Sequence, residues 1–416
     1  MKILFLTDNF PPESNAPAIR TFEHARHWAR MGHDVTIITC APNFPAGALF
    51  EGYRNRCIQR EEIEGIVVVR VWTFISRNEG FLLRTLDYVS FMLSAIIASL
   101  FVKRPDVVIA TSPQFFTSIA GWIVSLLRWR PFVFELRDLW PETVMAVDAM
   151  QSNWILDALE RLAHFLYRRA DLMVPVTHAF ADQLRTLGVP DERIEIVTNG
   201  IDPDSIEIRR SQAATREKYA LPEDAFVAGY IGTLGMCHGL STVLEAAQRT
   251  RGDSRLHFVV MGDGADRDEL IAILERERLE NVTLIDRQPR AEALEVLNAC
   301  DVSLVMLRES PVFETVIPSK IFEAMALRKP ILLGVRGEAK QIVIDEAACG
   351  TAFPPEDADA LIHALQHLMA NPQICSELGD RGHDAVVDSY QRSVLAEKMI
   401  NFIEKSLASN RLPDAP

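Results

Sequence analysis

The chain has 416 residues, 48% hydrophobic and 24% charged, with a formal net charge of −14. This is ordinary globular composition, and the length suits two or three domains, each large enough for its own core. With 20 glycines and 22 prolines, collagen-like and low-complexity classes are excluded, and the acidic balance argues against a nucleic-acid partner.

The six cysteines, Cys40, Cys57, Cys237, Cys300, Cys349 and Cys375, form no CxxC pair and are widely scattered. A reduced, cytoplasmic protein fits this better than a disulfide framework or a zinc site. The first residues, Met1–Asp8, are too short for a signal-peptide core and read as a strand leading into a proline-rich turn. Ile3–Leu6 is therefore the first strand, followed by a helix around Ala18–Met31 and strands at Val35–Thr39 and Ile66–Val71.

The most apolar stretch, Val89–Val102, has 14 residues, and a membrane-spanning helix needs about 20. Three readings remain: a buried core helix, a helix touching a membrane surface, and a true span. Trp and Arg in Gly121–Phe132 suit a lipid interface and equally suit snorkelling at a protein surface.

Val107–Ala110, Phe132–Glu135, Leu172–Val176 and Ile194–Val197 complete the strands of a first half. Apolar Val/Ile-rich runs separated by helices predict a parallel sheet covered on both faces. The polar, turn-forming segment Thr198–Ser211 reads as a linker. The pattern then restarts with a strand at Phe226–Ile231, a helix at Ser241–Arg249, a strand at His257–Met261 and a helix at Arg267–Glu275. Strands at Val282–Ile285, Val302–Met306, Pro330–Leu333 and Ala352–Phe353 complete a second sheet. The expected domains are 1–205 and 206–389. Residues 1–205 carry 20 basic against 24 acidic residues and the remainder 23 against 33, so the first half is the better match for an anionic acceptor or membrane. Two doubly wound domains would bind ligands at the carboxyl ends of their strands, in a central cleft that both face.

Several segments carry a resemblance. Phe5–Thr39, Phe134–Glu142 (FELRDLWPE), Val197–Asp202 (VTNGID), Tyr230–Leu240 (YIGTLGMCHGL), Val259–Leu270 (VVMGDGADRDEL) and Ile317–Leu332 (IPSKIFEAMALRKPIL) occur in the order found in GT-B glycosyltransferases of family 4. Pro42–Tyr53 (PNFPAGALFEGY) resembles a subgroup from bacterial O-antigen, capsule and colanic-acid clusters that includes L-fucosamine transferases. The resemblance covers nearly the whole chain, and PSKIFEAMA is its most specific element. It implies an α/β GT-B fold with two Rossmann-like domains, a nucleotide-sugar donor held mainly by the second, and transfer with retention to an acceptor held by the first. It also implies no metal or other cofactor, and a C-terminal helix, here about Tyr390–Leu407, that crosses back to the first domain.

Glycosyl transfer needs donors in place for the leaving diphosphate and a firm hold on the nucleoside. Gly232-Thr233-Leu234-Gly235 follows a strand and precedes a helix, where small residues let backbone N–H groups approach phosphate. A plain strand-to-helix turn is the bland alternative. The family commonly places Arg and Lys at the positions of Thr233 and His238, so either a protonated His238 or another cation must serve the diphosphate. Lys320 is the substitute expected, with Pro318 and Ser319 before it and Ser319 as helix cap beside phosphate. Simple capping and a solvated first-turn lysine are the alternatives.

The resemblance assigns Glu323 to the donor ribose. The family's other glutamate falls at Thr315 here, and Glu314 is one residue off. Gly262-Asp263-Gly264 reads as a turn near the nucleotide. In the first half, Glu135, Arg137 and Asp138 follow a buried strand. Asp138 is a candidate to polarise the acceptor hydroxyl, and Arg137 to meet an acceptor phosphate. Asn15 and Arg20 are further acceptor-side candidates. The catalytic set expected is thus Asp138, His238 and Lys320. The pairs His363/His367 and His24/His27 lack metal-site context and read as ordinary helix residues.

The reading favoured is a retaining transferase moving a sugar, an N-acetylated amino sugar such as L-FucNAc being one example, from a UDP-sugar to a lipid-linked saccharide. Its place would be the cytoplasm, with peripheral contact at the inner membrane face. A nucleotide-sugar epimerase of the same fold and a non-catalytic donor-binding scaffold are the alternatives.

Overall fold

A computed structural model describes residues 1–13, 15–44, 47–75, 81–139 and 154–409. The chain forms two compact units, one of residues 1–198 together with the segment from Arg392 onward, the other of Asn199–Gln391.

In the first unit the elements run β1 (Lys2–Leu6), α1 (Ala16–Arg30), β2 (Asp34–Cys40), β3 (Ile58–Ile63), β4 (Ile66–Val71), α2 (Phe81–Ser99), β5 (Val107–Thr111), α3 (Phe115–Arg128), β6 (Phe132–Leu136), α4 (Trp154–Arg169), β7 (Leu172–Pro175) and α5 (His178–Thr186). The sheet order is β3-β4-β2-β1-β5-β6-β7, parallel except for β3. Alternation along the strands divides the core. Leu4, Leu6, Ile38, Val108 and Phe134 pack with Phe91, Phe115 and Leu166 from α2, α3 and α4. Ile3, Phe5, Ile37 and Val107 pack on the other face with Trp28 of α1 and with Met399, Ile400 and Ile403 of the C-terminal helix Arg392–Ser409.

The second unit runs α6 (Gln212–Lys218), β8 (Phe226–Ile231), α7 (Ser241–Arg249), β9 (Leu256–Gly262), α8 (Arg267–Glu277), β10 (Val282–Asp286), α9 (Arg290–Ala299), β11 (Val302–Met306), α10 (Lys320–Ala326), β12 (Ile331–Gly334), β13 (Gly350–Ala352), α11 (Ala358–Ala370) and α12 (Pro372–Ala385). Its sheet order, β10-β9-β8-β11-β12-β13, is that of doubly wound nucleotide-binding folds, with the reversal between β8 and β11. Ligands of such sheets bind where the carboxyl ends of the reversing strands part.

Three sequence expectations need correction. Ile194–Val197 is not a strand; Ile194 makes a single bridge to Met173. The strand β3, IQREEI, went unpredicted because only alternate residues are half-buried, and its charges suit an exposed edge. The boundary lies at Thr198–Asn199 rather than at 205–206, because the Ile201 N–H already bonds the Tyr390 carbonyl of the second unit at 2.9 Å.

Trp28 is fully buried, and its Nε1–H donates to the Ala396 carbonyl at 2.8 Å, so one side chain fastens α1 to the C-terminal helix. Trp28→Ala is expected to destabilise this unit by about 3–5 kcal/mol in denaturant titration, with Trp28→Phe losing less.

Candidate functional site

The second unit gathers its site at the carboxyl ends of β8, β9 and β10. Gly232, directly after β8, has φ +153, and Gly262, ending β9, has φ +156. A Cβ on Gly262 would collide with the Gly232 carbonyl oxygen, and one on Gly264 with that of Leu234. These glycines let the two turns touch, and the contact is sealed by Gly232 N–H to Met261 O and Leu234 N–H to Asp263 O, both 2.9 Å. Gly235 has an extended φ of −116 and no close neighbour, so nothing in the fold demands glycine there. The amides of Thr233 and Gly235 are left without a hydrogen bond among the described residues. The expected turn into a helix is instead interrupted by a 3₁₀ turn, Met236–His238, and a left-handed Gly239 before α7.

Lys320 lies against this turn. A Cβ on Gly232 would stand 3.0 Å from its ammonium nitrogen, which is buried and makes no hydrogen bond. Its nearest compensation is the Tyr230 ring, 3.7 Å from Nζ to centroid. The Tyr230 hydroxyl is held by Thr233 O at 2.7 Å, so that ring is fixed. Burial pulls the Lys320 ammonium down to about 7, against weaker upward pulls from Cys237 and Glu323. An unpaired buried cation is a costly arrangement that an incoming anion would relieve.

His238 does not fill the cationic role expected of it. Burial, with Lys320 nearby, pushes it down to about 4, so it is neutral, with Nδ1 3.0 Å from Cys237 Sγ. Ser319 stands at the start of α10 but makes no side-chain cap, and the first-turn amides of Ile321 and Phe322 bond Pro318 O and Ser319 O rather than pointing free. The Ser319 and Lys320 amides themselves make no hydrogen bond among the described residues, so this helix start keeps two backbone donors beside the lysine. Glu323 is paired with Arg290 at 3.1 Å, a partner from α9 that sequence spacing could not reveal. The Thr315 hydroxyl is taken by Val312 O at 2.8 Å, while Glu314 is exposed. Beside the glycine turns an open recess of about 470 Å³ is lined by Asp263, Gly264, Arg267, Asp268, Asp286 and Arg287, with Arg267 paired to Asp286.

In the first unit several candidates turn out to be structural. Asn15 caps α1, accepting from Ala18 N–H at 2.9 Å and donating to Asn9 Oδ1 at 2.6 Å. Arg20 and Glu135 form a fully buried ion pair at 2.8 Å, and Arg20 also donates to Thr198 O and Val197 O at 2.5 and 2.8 Å. Burial would raise the Glu135 carboxyl, but Arg20 and Arg137 outweigh it and hold it below its ordinary value. Arg20, Glu135 and Asn15 are therefore engaged in holding the fold.

Arg137 and Asp138 remain. Both amides donate to Ser112 Oγ, at 2.7 and 3.1 Å, which fixes the turn after β6. Arg137 Nε and Nη1 are buried without partners. Burial pulls this guanidinium to about 10, still charged at neutral pH, and raises Asp138 to about 6 despite Arg137. Asp8, past the end of β1, is likewise raised by burial to about 6, a residue that sequence reading missed. Trp140–Glu142 of the FELRDLWPE motif lie outside the described residues. His363 and His367 are exposed on α11, and no cluster of three metal-capable side chains exists among the described residues.

Two family profiles match, a glycosyl transferase 4-like domain over residues 15–200 and the glycosyl transferases group 1 over 211–385. Between them they span most of the chain, which belongs to the family 4 glycosyltransferases of GT-B fold. WcaI of Escherichia coli, named as a glycosyl transferase of colanic acid biosynthesis, is 23% identical over 96% of this chain and 98% of its own. LpsE of Rhizobium meliloti, named for lipopolysaccharide core biosynthesis, is 24% identical over 67% and 75%. Among solved structures, Anabaena HepE in complex with UDP superposes with a TM-score of 0.73 at 17% identity, over 97% of this chain and 100% of that one. Sucrose-phosphate synthase from Thermosynechococcus elongatus gives 0.74 at 18%, over 98% and 100%. The protein is a glycosyltransferase of polysaccharide biosynthesis, and the epimerase reading gains nothing from these relatives.

The buried Lys320 has a consequence for stability. The unfolded chain keeps this proton up to about pH 10.5, whereas the folded protein releases it near 7. The second unit should therefore gain stability as pH rises between those values. Lys320→Met is expected to raise the melting temperature at pH 6 and to flatten that pH dependence.

Proposed function

We propose that the protein transfers a sugar, with retention at the anomeric carbon, from a UDP-sugar to a lipid-linked saccharide, without a metal ion. The observation that carries the donor half is the buried, unpartnered Lys320 ammonium against the Gly232 turn. Loss of nucleoside diphosphate concentrates charge on the leaving group, and a cation already desolvated stabilises that charge with little reorganisation. The free Thr233 and Gly235 amides would add hydrogen bonds, Glu323 would take the ribose hydroxyls, and the recess at Asp263–Arg287 has room for the base. UDP as the nucleotide is supported by the HepE complexes with UDP and UDP-glucose, retention and metal independence by family membership, and an N-acetylated amino sugar such as L-FucNAc by the sequence resemblance alone. In the first unit, Arg137 would hold an acceptor phosphate. Asp138, at about 6, is poised to accept the proton of the attacking hydroxyl as the acceptor oxygen bonds the anomeric carbon on the face from which the diphosphate departs, as a one-step transfer with retention requires.

The lipid-linked acceptor is supported by an apolar face. Leu83, Leu86, Leu93 and Ile97 form an exposed stripe along α2 at helical spacing, continued by Leu100 and Phe101. Leu126, Leu127 and Trp129, the last 83% exposed, extend it at the end of α3, where Arg128 bonds the Val102 carbonyl at 3.0 Å. Exposed Lys103 and Arg104 lie at its edge. Apolar side chains with a cationic and Trp border suit the surface of an anionic bilayer. No described helix is long and apolar enough to cross one.

Calorimetric titration without metal is expected to show UDP binding in preference to GDP, dTDP and ADP. Glu323→Ala should weaken it about tenfold or more while leaving the fold intact. Lys320→Ala should lower turnover more than ground-state affinity; absence of binding to all four nucleotides would sink the donor site. Separately, the protein should float with phosphatidylglycerol vesicles, and the triple variant Ile97→Ser, Phe101→Ser, Trp129→Ser should remain in solution with its UDP affinity unchanged. Equal flotation of the variant would discard this face.

A further inference from the structure

We infer that Arg308 supplies the permanent positive charge of the donor-diphosphate site, an inference that rests on the donor reading above. The glycine turn carries no fixed charge of its own. Thr233 is uncharged, and burial leaves His238 neutral in the folded protein. Lys320 is buried deeply enough to lose its proton near neutral pH, so with no anion bound it is only partly charged. A nucleoside diphosphate carries more negative charge than this can meet.

Arg308 stands where a second cation would act. It is two residues past the end of β11, the strand that borders β8 at the reversal of the sheet. Its backbone N–H donates to the Cys237 carbonyl at 2.9 Å, and its Cγ would lie 3.7 Å from a Cβ on Gly239. The residue is thereby tied by its backbone to the middle of the 3₁₀ turn in which His238 sits and lies beside the Gly239 that ends it. Its side chain is exposed and makes no ion pair among the described residues. Of the acids near it, Glu309 pairs with Arg336 at 2.7 Å and Glu356 accepts the Glu309 N–H at 3.0 Å, while Glu314 lines the same recess as Arg308 without pairing to it. An arginine held by its backbone at a ligand loop, with its fork free, matches the bidentate geometry of phosphate oxygens.

The test compares UDP with uridine on the full-length protein, by calorimetry. Arg308→Gln should weaken UDP about tenfold, the size of one charge-assisted contact, and leave uridine unchanged. Arg308→Lys should recover part of the loss. The side chain is exposed, and the backbone bond to Cys237 survives substitution, so the melting temperature should stay near that of the parent. UDP affinity within about twofold of the parent in Arg308→Gln would overturn the inference. An equal loss for uridine would overturn it too, since Arg308 would then only shape the loop. If the parent itself bound no UDP, the donor reading would fail first; normal parent binding with an indifferent Arg308 would remove this inference alone.

Discussion

An ammonium group kept from water without a counter-ion is the constraint around which the second unit is arranged. Lys320 reaches its position because α10 starts beside the Gly232 turn, and the turn admits it because Gly232 has no side chain. The turn itself keeps its shape because Gly262 and Gly264 let the neighbouring loop press against it. Tyr230 closes the arrangement, offering a ring face to Nζ and a hydroxyl to Thr233 O. Each of these features is unfavourable or uninformative alone. Together they describe a protein that holds part of its folding energy as an unsatisfied charge, which suits a site meant for an anion.

The first unit handles buried charge in the opposite way. Arg20 pairs with Glu135 Oε1 and donates to the Val197 and Thr198 carbonyls, while Glu135 Oε2 stays buried without a partner, so removing either side chain would leave a buried charge unpaired at a cost of about 3–5 kcal/mol. That pair spans α1, β6 and the end of the unit, and it is a fastening. Next to it in sequence, Arg137 has buried guanidinium nitrogens without partners and Asp138 has a raised carboxyl. Arg20 with Glu135, and Arg137 with Asp138, thus separate into a structural pair and a chemically available pair. The difference lies in whether the partner atoms are in reach.

Domain count, the parallel strands and most strand positions were legible in the sequence, since buried parallel strands write themselves as uninterrupted apolar runs. Phe226–Ile231, Ser241–Arg249 and Val302–Met306 were read to the residue. The edge strand β3 was not, because a half-exposed charged hairpin lacks that signal, and Ile194–Val197 has the signal without the ladder. Lys320 and Glu323 were legible through the PSKIFEAMA motif, and the deficit of charge at Thr233 and His238 was legible as well.

What the sequence determined by itself is the set of available groups: local apolar periodicity, the glycines at the strand ends, and a lysine at the start of a short helix. Tertiary structure alone decided their state. Burial makes His238 neutral and pulls the Lys320 ammonium down to about 7, because desolvation depends on neighbours distant along the chain. It brought Arg290 to Glu323 and Arg308 to Cys237, contacts separated by 33 and 71 positions. It also turned Arg20 and Asn15 from ligand candidates into supports. Residue types set which charges a chain can carry; packing sets which of them remain unpaired.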